Sequence, residues 1–593
     1  SKSRITADNP ADIANLFNQY FASVFTTKCP LSDLENPCAP PDPTLTQLSF
    51  TVSEISAVIK QLDENKATGP DDISIRLVKE TADEITPSLC HLFNKSLRTG
   101  KFPTEWKVAN VVPVFKKGNK SHAENYRPIS LLSIISKIME RCVFNSIRDR
   151  VSRLIHACQH GFTIGKSCVT QLIEVLDIIG SHLDSGGQVD TIYLDMSKAF
   201  DKVDHHTLAK KLSIYGFGGN LLLWFRSYLA NRKQRVIVPG GISEHLPVTS
   251  GVPQGSILGP TLFLLFVNDL PDAVKSSKIA VFADDTKLYK PVSSNDDVAS
   301  LQSDLNSINT WASSNTMLFN KGKCKVLQIT RKRQPITSTY TLNNSPLQTA
   351  NTEKDLGVWV TDSLTWSHQV SEQCNKANRA LAFLRRNTRD IRNISIRRTM
   401  YLALVRPHLG YATQVWAPQT KTLIRKVENL QRRASKYILN LPFVCDSTYS
   451  ERLVKLNMLP LSFWHEYLDV TFLFKIIHGQ VNIDPDLIPR RRDSTRATRS
   501  NSSSRPKFYI RRCKTSTFQK SYFNRSIRTW NFLADFLIFD TPNLRTFQRS
   551  LIVDYYLPAV QHTYDPDDPR TWKTICLSCN RTHNLRNKLS CCS

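Results

Sequence analysis

The first hundred residues alternate between helical apolar spacing and proline-rich connection. Ala11–Phe25 places its apolar residues at helical intervals, Cys38–Pro43 is a proline-rich linker, and Thr51–Leu62 reads as a second short helix. Beyond Lys101 the period shortens. Val108–Phe115 is strand-like, and Ser130 is placed to cap a helix whose apolar residues fall at Ile134, Ile135, Ile138, Met139, Cys142 and Val143. Asp190–Leu194 reads as a strand with Ile192 and Leu194 on one face, and a helix is predicted over Lys198–Tyr215. The turn-rich loop Gly251–Gly259 opens a helix at Leu262–Leu270. Ile279–Phe282 and Lys287–Tyr289 read as two strands joined through Ala283-Asp284-Asp285-Thr286, and Asp297–Ala312 as an amphipathic helix. Strands recur at Cys324–Ile329 and Asp355–Val360, and from about Ser371 the chain turns helical, with Leu423–Tyr437 amphipathic and basic.

Length and charge add a partner class. At 593 residues the chain exceeds a single core and implies several domains. Lys and Arg total 78 against 51 Asp and Glu, a net charge of +27. Residues 1–95 carry 8 basic and 13 acidic side chains, a net of −5, so the rest holds +32. Such a basic body points to a polyanion, nucleic acid first and an anionic membrane surface second. Lys376, Arg379, Arg385, Arg386, Arg389, Arg392, Arg397 and Arg398 crowd one stretch, and Arg490–Arg512 is an Arg/Ser-rich linker. The longest apolar runs, Leu221–Phe225 and Leu262–Val267, are core-sized and span no bilayer. Fourteen mostly scattered cysteines without a signal peptide fit a reducing compartment. The start at Ser1 suggests a fragment of a larger polyprotein.

The chemistry concentrates in acidic residues. A bare Asp-Asp pair in a hairpin is most often a solvated turn, but adjacent carboxylates also suit divalent cations, which offset their repulsion. Asp195 ends a strand 89 positions before Asp284, where its side chain can project from a sheet edge toward Asp284 and Asp285. Between them, Gly251-Val252-Pro253-Gln254-Gly255-Ser256 permits close backbone approach to a ligand, with Gln254 able to bond a base or sugar edge. Asp204, His205 and His206 read as local packing rather than metal ligands, Asp269 and Asp272 as loop and cap residues, and Trp311, Trp366 and Trp416 as core before base-stacking surfaces.

Taken in order, Asn125-Tyr126-Arg127-Pro128-Ile129-Ser130, Asp195–Asp201, Gly251–Gly259, Phe282–Asp285, Asn320–Lys323 and Lys354–Gly357 resemble the motifs of reverse transcriptases of non-LTR, jockey-like retrotransposons. The resemblance covers residues 96–362 strongly and continues weakly through Arg406-Pro407-His408-Leu409 and Trp416-Ala417-Pro418. It implies an α/β right-hand polymerase with an α+β palm: a helical extension over 1–95, fingers and palm over 96–362, a basic helical thumb over 363–450, a carboxyl-terminal region over 451–570 and a Cys/His tail over 571–593.

The resemblance also implies roles. Asp195, Asp284 and Asp285 would bind two Mg²⁺ (Mn²⁺ the alternative), helped by the Met196 carbonyl. Phe200, five positions after Asp195, matches the bulky residue that screens the sugar 2′ position, against a reading as ordinary core. Arg127 matches a triphosphate contact, with Lys116 beside it and Lys117 and Lys120 as equal competitors. Gln254 would brace the incoming nucleotide; Lys323 would protonate pyrophosphate, against a reading as a solvated lysine; Asp355-Leu356-Gly357 resembles the primer grip. Asp201 is structural in this pattern.

The implied function is RNA-directed DNA polymerisation with an RNA template, a DNA primer or target and dNTPs as partners, no membrane, and an endonuclease domain upstream of this chain. A nuclear and cytoplasmic ribonucleoprotein is expected. The competing reading is a catalytically inactive palm-fold RNA-binding scaffold or fossil retroelement protein, which the three retained carboxylates disfavour. A viral RNA-dependent RNA polymerase would carry Gly where Ala283 stands, and no nuclease of the maturase kind is recognisable. Cys576-x2-Cys579-x3-His583-x7-Cys591 approximates a zinc knuckle for Zn²⁺, the alternative being a tail with reactive thiols.

Overall fold

The structure, a computed structural model, describes residues 8–26, 43–442, 444–491, 507–533, 537 and 543–562, with the backbone of 573–575 and 582–584. The lead-in is helical. Helix α1 (Pro10–Ala22) begins where Asn9 accepts from the Asp12 amide and Pro10 takes the first turn, and α2 (Val52–Lys60) starts at a reciprocal Thr51–Glu54 capping box. After α3 (Ile75–Glu80), α4 (Ala82–Thr99) ends at Gly100, whose φ of 65° is the left-handed stop that glycine allows. Strands β1 (Val108–Phe115) and β2 (Tyr126–Leu131) follow, then α5 (Ile134–Leu154) and α6 (Cys168–Asp184). The cap of α5 is Ser133, not Ser130; Ser130 lies within β2, paired with Val111.

Strand β3 (Gln188–Asp195) carries the chain to the centre of the molecule. The helix predicted over Lys198–Tyr215 divides into a turn of 3-10 helix at Ala199–Asp201 and α7 (His205–Ile214). The division has a cause: Lys198 takes a left-handed φ of 53°, and the Asp204 carboxylate caps α7 at the Thr207 amide. Next come α8 (Gly219–Leu229), β4 (Arg232–Val238), β5 (Gly241–Ile242), β6 (Leu246–Val248) and α9 (Leu258–Val267), which begins four residues before the predicted start. A hairpin of β7 (Lys278–Phe282) and β8 (Asp285–Pro291) leads to α10 (Asn295–Ser314) and β9 (Lys325–Thr330).

Two sheets result. One has the order β2-β1-β4-β5 with β6 on β4, and α1 packs its Ala14 and Phe21 against Val111 and Val236 of that sheet. After the small hairpin β10 (Thr341–Leu342) and β11 (Ser345–Pro346), β12 (Gln348–Thr349) completes the second sheet, β12-β9-β3-β8-β7. Its middle strand is covered on both faces. Val189 and Tyr193 face a core shared with Leu172 and Leu176 of α6, whereas Ile192 and Leu194 face one shared with Leu262 and Phe266 of α9. The second core also takes in Phe50, Ile55, Phe93 and Leu97, so the lead-in helices fold onto the same body. The arrangement is mixed α/β, as expected.

The strand predicted over Asp355–Val360 is instead a hairpin, β13 (Thr352–Asp355) and β14 (Val358–Thr361). Leu356 (φ 43°) and Gly357 (φ 90°) turn it, and the Tyr411 hydroxyl donates to the Leu356 carbonyl at 2.7 Å. The remainder is helical: α11 (Ser367–Asn387), α12 (Ile394–Leu404), α13 (Arg406–Gly410), α14 (Thr413–Trp416), α15 (Lys421–Ile438), α16 (Tyr449–Leu456), α17 (Leu461–Ile477), α18 (Ser516–Gln519) and α19 (Tyr522–Phe532). No described helix is long and apolar enough to cross a membrane. Most of the Arg/Ser-rich stretch, residues 492–506, lies outside the described residues.

A buried histidine in this helical part gives a pH test. His465 on α17 is buried, and its Nε2 bonds the Leu409 carbonyl at 2.8 Å. Burial, with Arg525 nearby, pushes the imidazole down to about 4. The unfolded chain therefore binds the proton first. The contribution is complete above about pH 6.5 and falls away as pH drops toward 4, by on the order of 3 kcal/mol. Thermal melts of the parent should lose Tm over that window more steeply than those of His465→Gln; parallel profiles would contradict it.

Candidate active site

The carboxylates predicted to converge lie at one end of the second sheet. Asp195 is the last residue of β3, Asp285 the first of β8, and the two are paired across the ladder. Asp284 occupies the turn before Asp285, after Ala283, whose φ of 57° lets a non-glycine residue reverse the chain in two positions. The Asp195 carbonyl accepts from the Asn320 amide at 2.8 Å, and Met196 bridges Phe319, so the 319–323 loop is fastened beside the strand end. From that loop Lys323 reaches Asp195 Oδ2 at 2.7 Å.

Like charges dominate the cleft. Desolvation, then Asp284 and Asp195, pushes the Asp285 carboxyl up to about 6. Asp284 is raised for similar reasons, with Lys116 and Arg127 partly offsetting. Burial holds Lys116 below the ordinary lysine range, as do Arg127 and Lys323, with Asp195 acting the other way. Lys116, at the end of β1, and Arg127, on β2, are thus both within electrostatic reach of the aspartates. Of its rivals, Lys120 sits over the Phe115 ring at 5.8 Å.

Among the described residues no three Asp, Glu, His or Cys side chains stand close enough to cage one ion as arranged. Asp195 turns its carboxylate to Lys323 instead. The donor set nonetheless fits a hard divalent cation: three oxygen-bearing anions crowd one sheet end and two resist ionisation there.

Phe200 stacks on buried Phe263 with ring centroids 4.2 Å apart and planes 16° from parallel, leaving it half-buried beside the cleft. Gln254 gives its amide to Asp201 Oδ1 at 2.8 Å, and its carbonyl accepts from the Ser130 amide at 2.7 Å. The loop is clamped because Gly251 and Gly255 lack side chains. A Cβ at either would lie 2.8 Å from Asp201 backbone or 2.4 Å from the Ser130 carbonyl. Asp201 therefore has the expected structural part, as a buried anchor for Gln254.

The bland readings hold elsewhere. Asp204 is a helix cap and His205 bonds the Gly251 carbonyl at 2.7 Å. Trp366 and Trp416 are buried. Trp311 donates to Asp269, which also binds buried Lys211 at 2.7 Å; Asp269 is thus an ion-pair partner rather than a cap. Of the basic run, Arg379, Arg385, Arg386, Arg389 and Arg392 are exposed, whereas Arg397 is buried, donating to the Ile391 and Tyr437 carbonyls. Cys576, Cys579 and Cys591 and the side chain of His583 lie outside the described residues.

Three features escaped the sequence reading. Lys287, two positions beyond Asp285, forms a buried ion pair with Asp355 at 2.5 Å, joining the Asp-Asp hairpin to the 352–361 hairpin. Phe162 is 61% exposed, takes a φ of 55° and meets Phe200 edge-on at 6.3 Å. Gln159 touches the turn of the catalytic hairpin from outside it. A Lys inside an otherwise strand-like run was the available signal for the first; the other two lack a local one.

Comparison with known proteins follows the same lines. Residues 115–360 match the family model described as reverse transcriptase (RNA-dependent DNA polymerase). The chain is 28% identical over 474 residues to a probable RNA-directed DNA polymerase from transposon BS of Drosophila melanogaster, covering 76% of this chain and 52% of the relative. It is 28% identical to the RNA-directed DNA polymerase from mobile element jockey of the same fly, over 76% of this chain and 49% of the relative. Against the jockey polymerase of Drosophila funebris the identity is 30%, over 66% and 44%. The chain spans about half the length of the curated relatives it matches.

Proposed function

We propose that this chain, which carries a reverse transcriptase domain of the non-LTR, jockey-like kind, extends a DNA primer on an RNA template with dNTPs. The observation that carries the reading is the pairing of Asp195 with Asp285 across two strands, with Asp284 at the adjoining turn and Phe200 stacked five residues on. In this reading residues 96–362 are fingers and palm, 363–450 the thumb, and the chain up to residue 95 a helical extension. The carboxyl-terminal region, 451–570, and the Cys/His tail complete it.

Asp195, Asp284 and Asp285, with the Met196 carbonyl, would hold two divalent cations, Mg²⁺ by preference. Such ions make a primer 3′-hydroxyl more acidic and offset charge on a leaving pyrophosphate. The protein's own part is positional. Arg127 offers its planar fork and Lys116 a point charge to the triphosphate oxygens, which replace each other's repulsion with attraction. Lys323 leaves Asp195 as the cleft fills and donates an Nζ proton to a pyrophosphate oxygen. Gln254, aimed by Asp201, braces the nucleotide. Phe200, backed by Phe263, fills the space a 2′-hydroxyl would need. Replacing it with Ala should lower discrimination against ribonucleotides by about 10- to 100-fold, read as the ratio of kcat/KM for dTTP and UTP; an unchanged ratio would remove Phe200 from this role.

The exposed Arg385, Arg386 and Arg389 lie on or just beyond α11 and suit backbone phosphates of the template–primer. Neutralising one should weaken binding to all sequences alike and lower the salt slope of log Kd by about 0.7 to 0.9 per phosphate lost. A slope unchanged in all three variants would place the duplex elsewhere. In the life of such an element the enzyme would copy its own RNA from a nicked chromosomal 3′-end, as a nuclear and cytoplasmic ribonucleoprotein, with the nick made by a separate endonuclease region.

The test is primer extension on a heteropolymeric RNA template, with the product sequenced. Complementary DNA supports the polymerase. Tight RNA binding without extension would favour the inactive scaffold.

A further inference from the structure

Strand β7 is the edge of its sheet, so only β8 pairs it on one side. The other side is covered by Cys158–Gly161. The His160 amide donates to the Val281 carbonyl at 2.8 Å and the Val281 amide to the Cys158 carbonyl at 3.1 Å, a parallel bridge. At its end, buried Gln159 places one oxygen between two amides. Its Oε1 accepts from Ala283 at 2.9 Å and from Gly161 at 2.8 Å. Ala283 is the residue in left-handed conformation that precedes Asp284, and it is itself buried. An amide there would otherwise be unpaired and away from water, a cost of about 1 to 3 kcal/mol. Gly161 allows the approach: a Cβ on it would stand 2.5 Å from the Ala283 nitrogen.

We propose that Gln159 is a positioning residue for catalysis, holding the Ala283 turn so that Asp284 and Asp285 face Asp195. The inference rests on the polymerase reading for its consequence in turnover, but not for the hold itself. Nothing else described ties the Ala283 amide, and the sheet supplies no further strand on that side. The side chain touches no nucleotide-facing group; it acts through the turn.

The test compares Gln159→Met, which keeps the length and lacks the carbonyl, with Gln159→Glu, which keeps an accepting oxygen. Three readouts are taken on the full chain. Hydrogen exchange at the Ala283 amide should quicken at least 10-fold in Gln159→Met and stay near the parent in Gln159→Glu. Binding of Mn²⁺, followed by electron paramagnetic resonance, should weaken severalfold in Gln159→Met alone. In primer extension Gln159→Met should lose about 10- to 100-fold in kcat with KM for dTTP and the Kd for template–primer within threefold, and Gln159→Glu should recover most of it. Unchanged exchange at Ala283, or Gln159→Glu as impaired as Gln159→Met in both exchange and Mn²⁺ binding, would overturn the proposal. A parent that binds Mn²⁺ but extends no primer would defeat the polymerase reading instead, leaving exchange and Mn²⁺ binding to decide on Gln159.

Discussion

Asp285→Asn should extend a primer at no more than about one-thousandth of the parental rate, a loss of about 4 kcal/mol in transition-state stabilisation, while melting no lower than the parent in metal-free buffer. The two halves of that expectation have one source. Asp285 faces Asp195 across the ladder and follows Asp284 directly, and both neighbours oppose its ionisation. Removing its charge relieves the crowding and also removes a donor the divalent cations would need. A site built for function is here a local liability for folding. A fall in Tm matching the fall in activity would mean that the aspartate is structural. Near-parental activity would mean that it is not part of the catalytic set.

The second large effect lies beneath the first. Lys287 and Asp355 are both buried and meet at 2.5 Å, each the main partner the other has. Lys287→Ala should destabilise the fold by about 3 to 5 kcal/mol, because it leaves an unpaired carboxylate out of water. The double variant Lys287→Met, Asp355→Leu removes both charges and should restore most of that loss. It should not restore rate to the same degree if the pair sets the spacing between the Asp-Asp hairpin and the 352–361 hairpin. Chemical denaturation of both singles and the double, with kcat measured on each, separates these terms. A double variant no more stable than the sum of its singles would contradict a coupled buried pair.

Much of this was legible from local pattern. Val108–Phe115 was read to the residue, because a run of β-branched side chains between turns has few other solutions. The strand carrying Asp195 and the hairpin carrying Asp284 and Asp285 were likewise visible, and so was the spacing that brought them together. The errors fell where tertiary contact decided. Lys198–Tyr215 has helical spacing throughout, yet the chain must turn between Phe200 and Asp204 for the Gly251 loop to pack against Asp201. Asp355–Val360 looks like one strand because its apolar residues alternate, but Gly357 supplied a turn that Tyr411 fastens from 55 residues away. Charge density likewise grouped Arg397 with its exposed neighbours, whereas the fold uses it to satisfy carbonyls. Gln159 could not have been found in sequence, since its meaning depends on an amide 124 positions later.

The most direct measurement is incorporation of labelled dTTP on poly(rA)/oligo(dT) with Mg²⁺, by the parent and by Asp284→Ala side by side, each first shown to be folded and to bind the template–primer. The expected result is steady incorporation by the parent and none above background by the variant. Incorporation by both would contradict the assignment of the aspartates, and incorporation by neither, with template–primer binding intact, would contradict the polymerase itself.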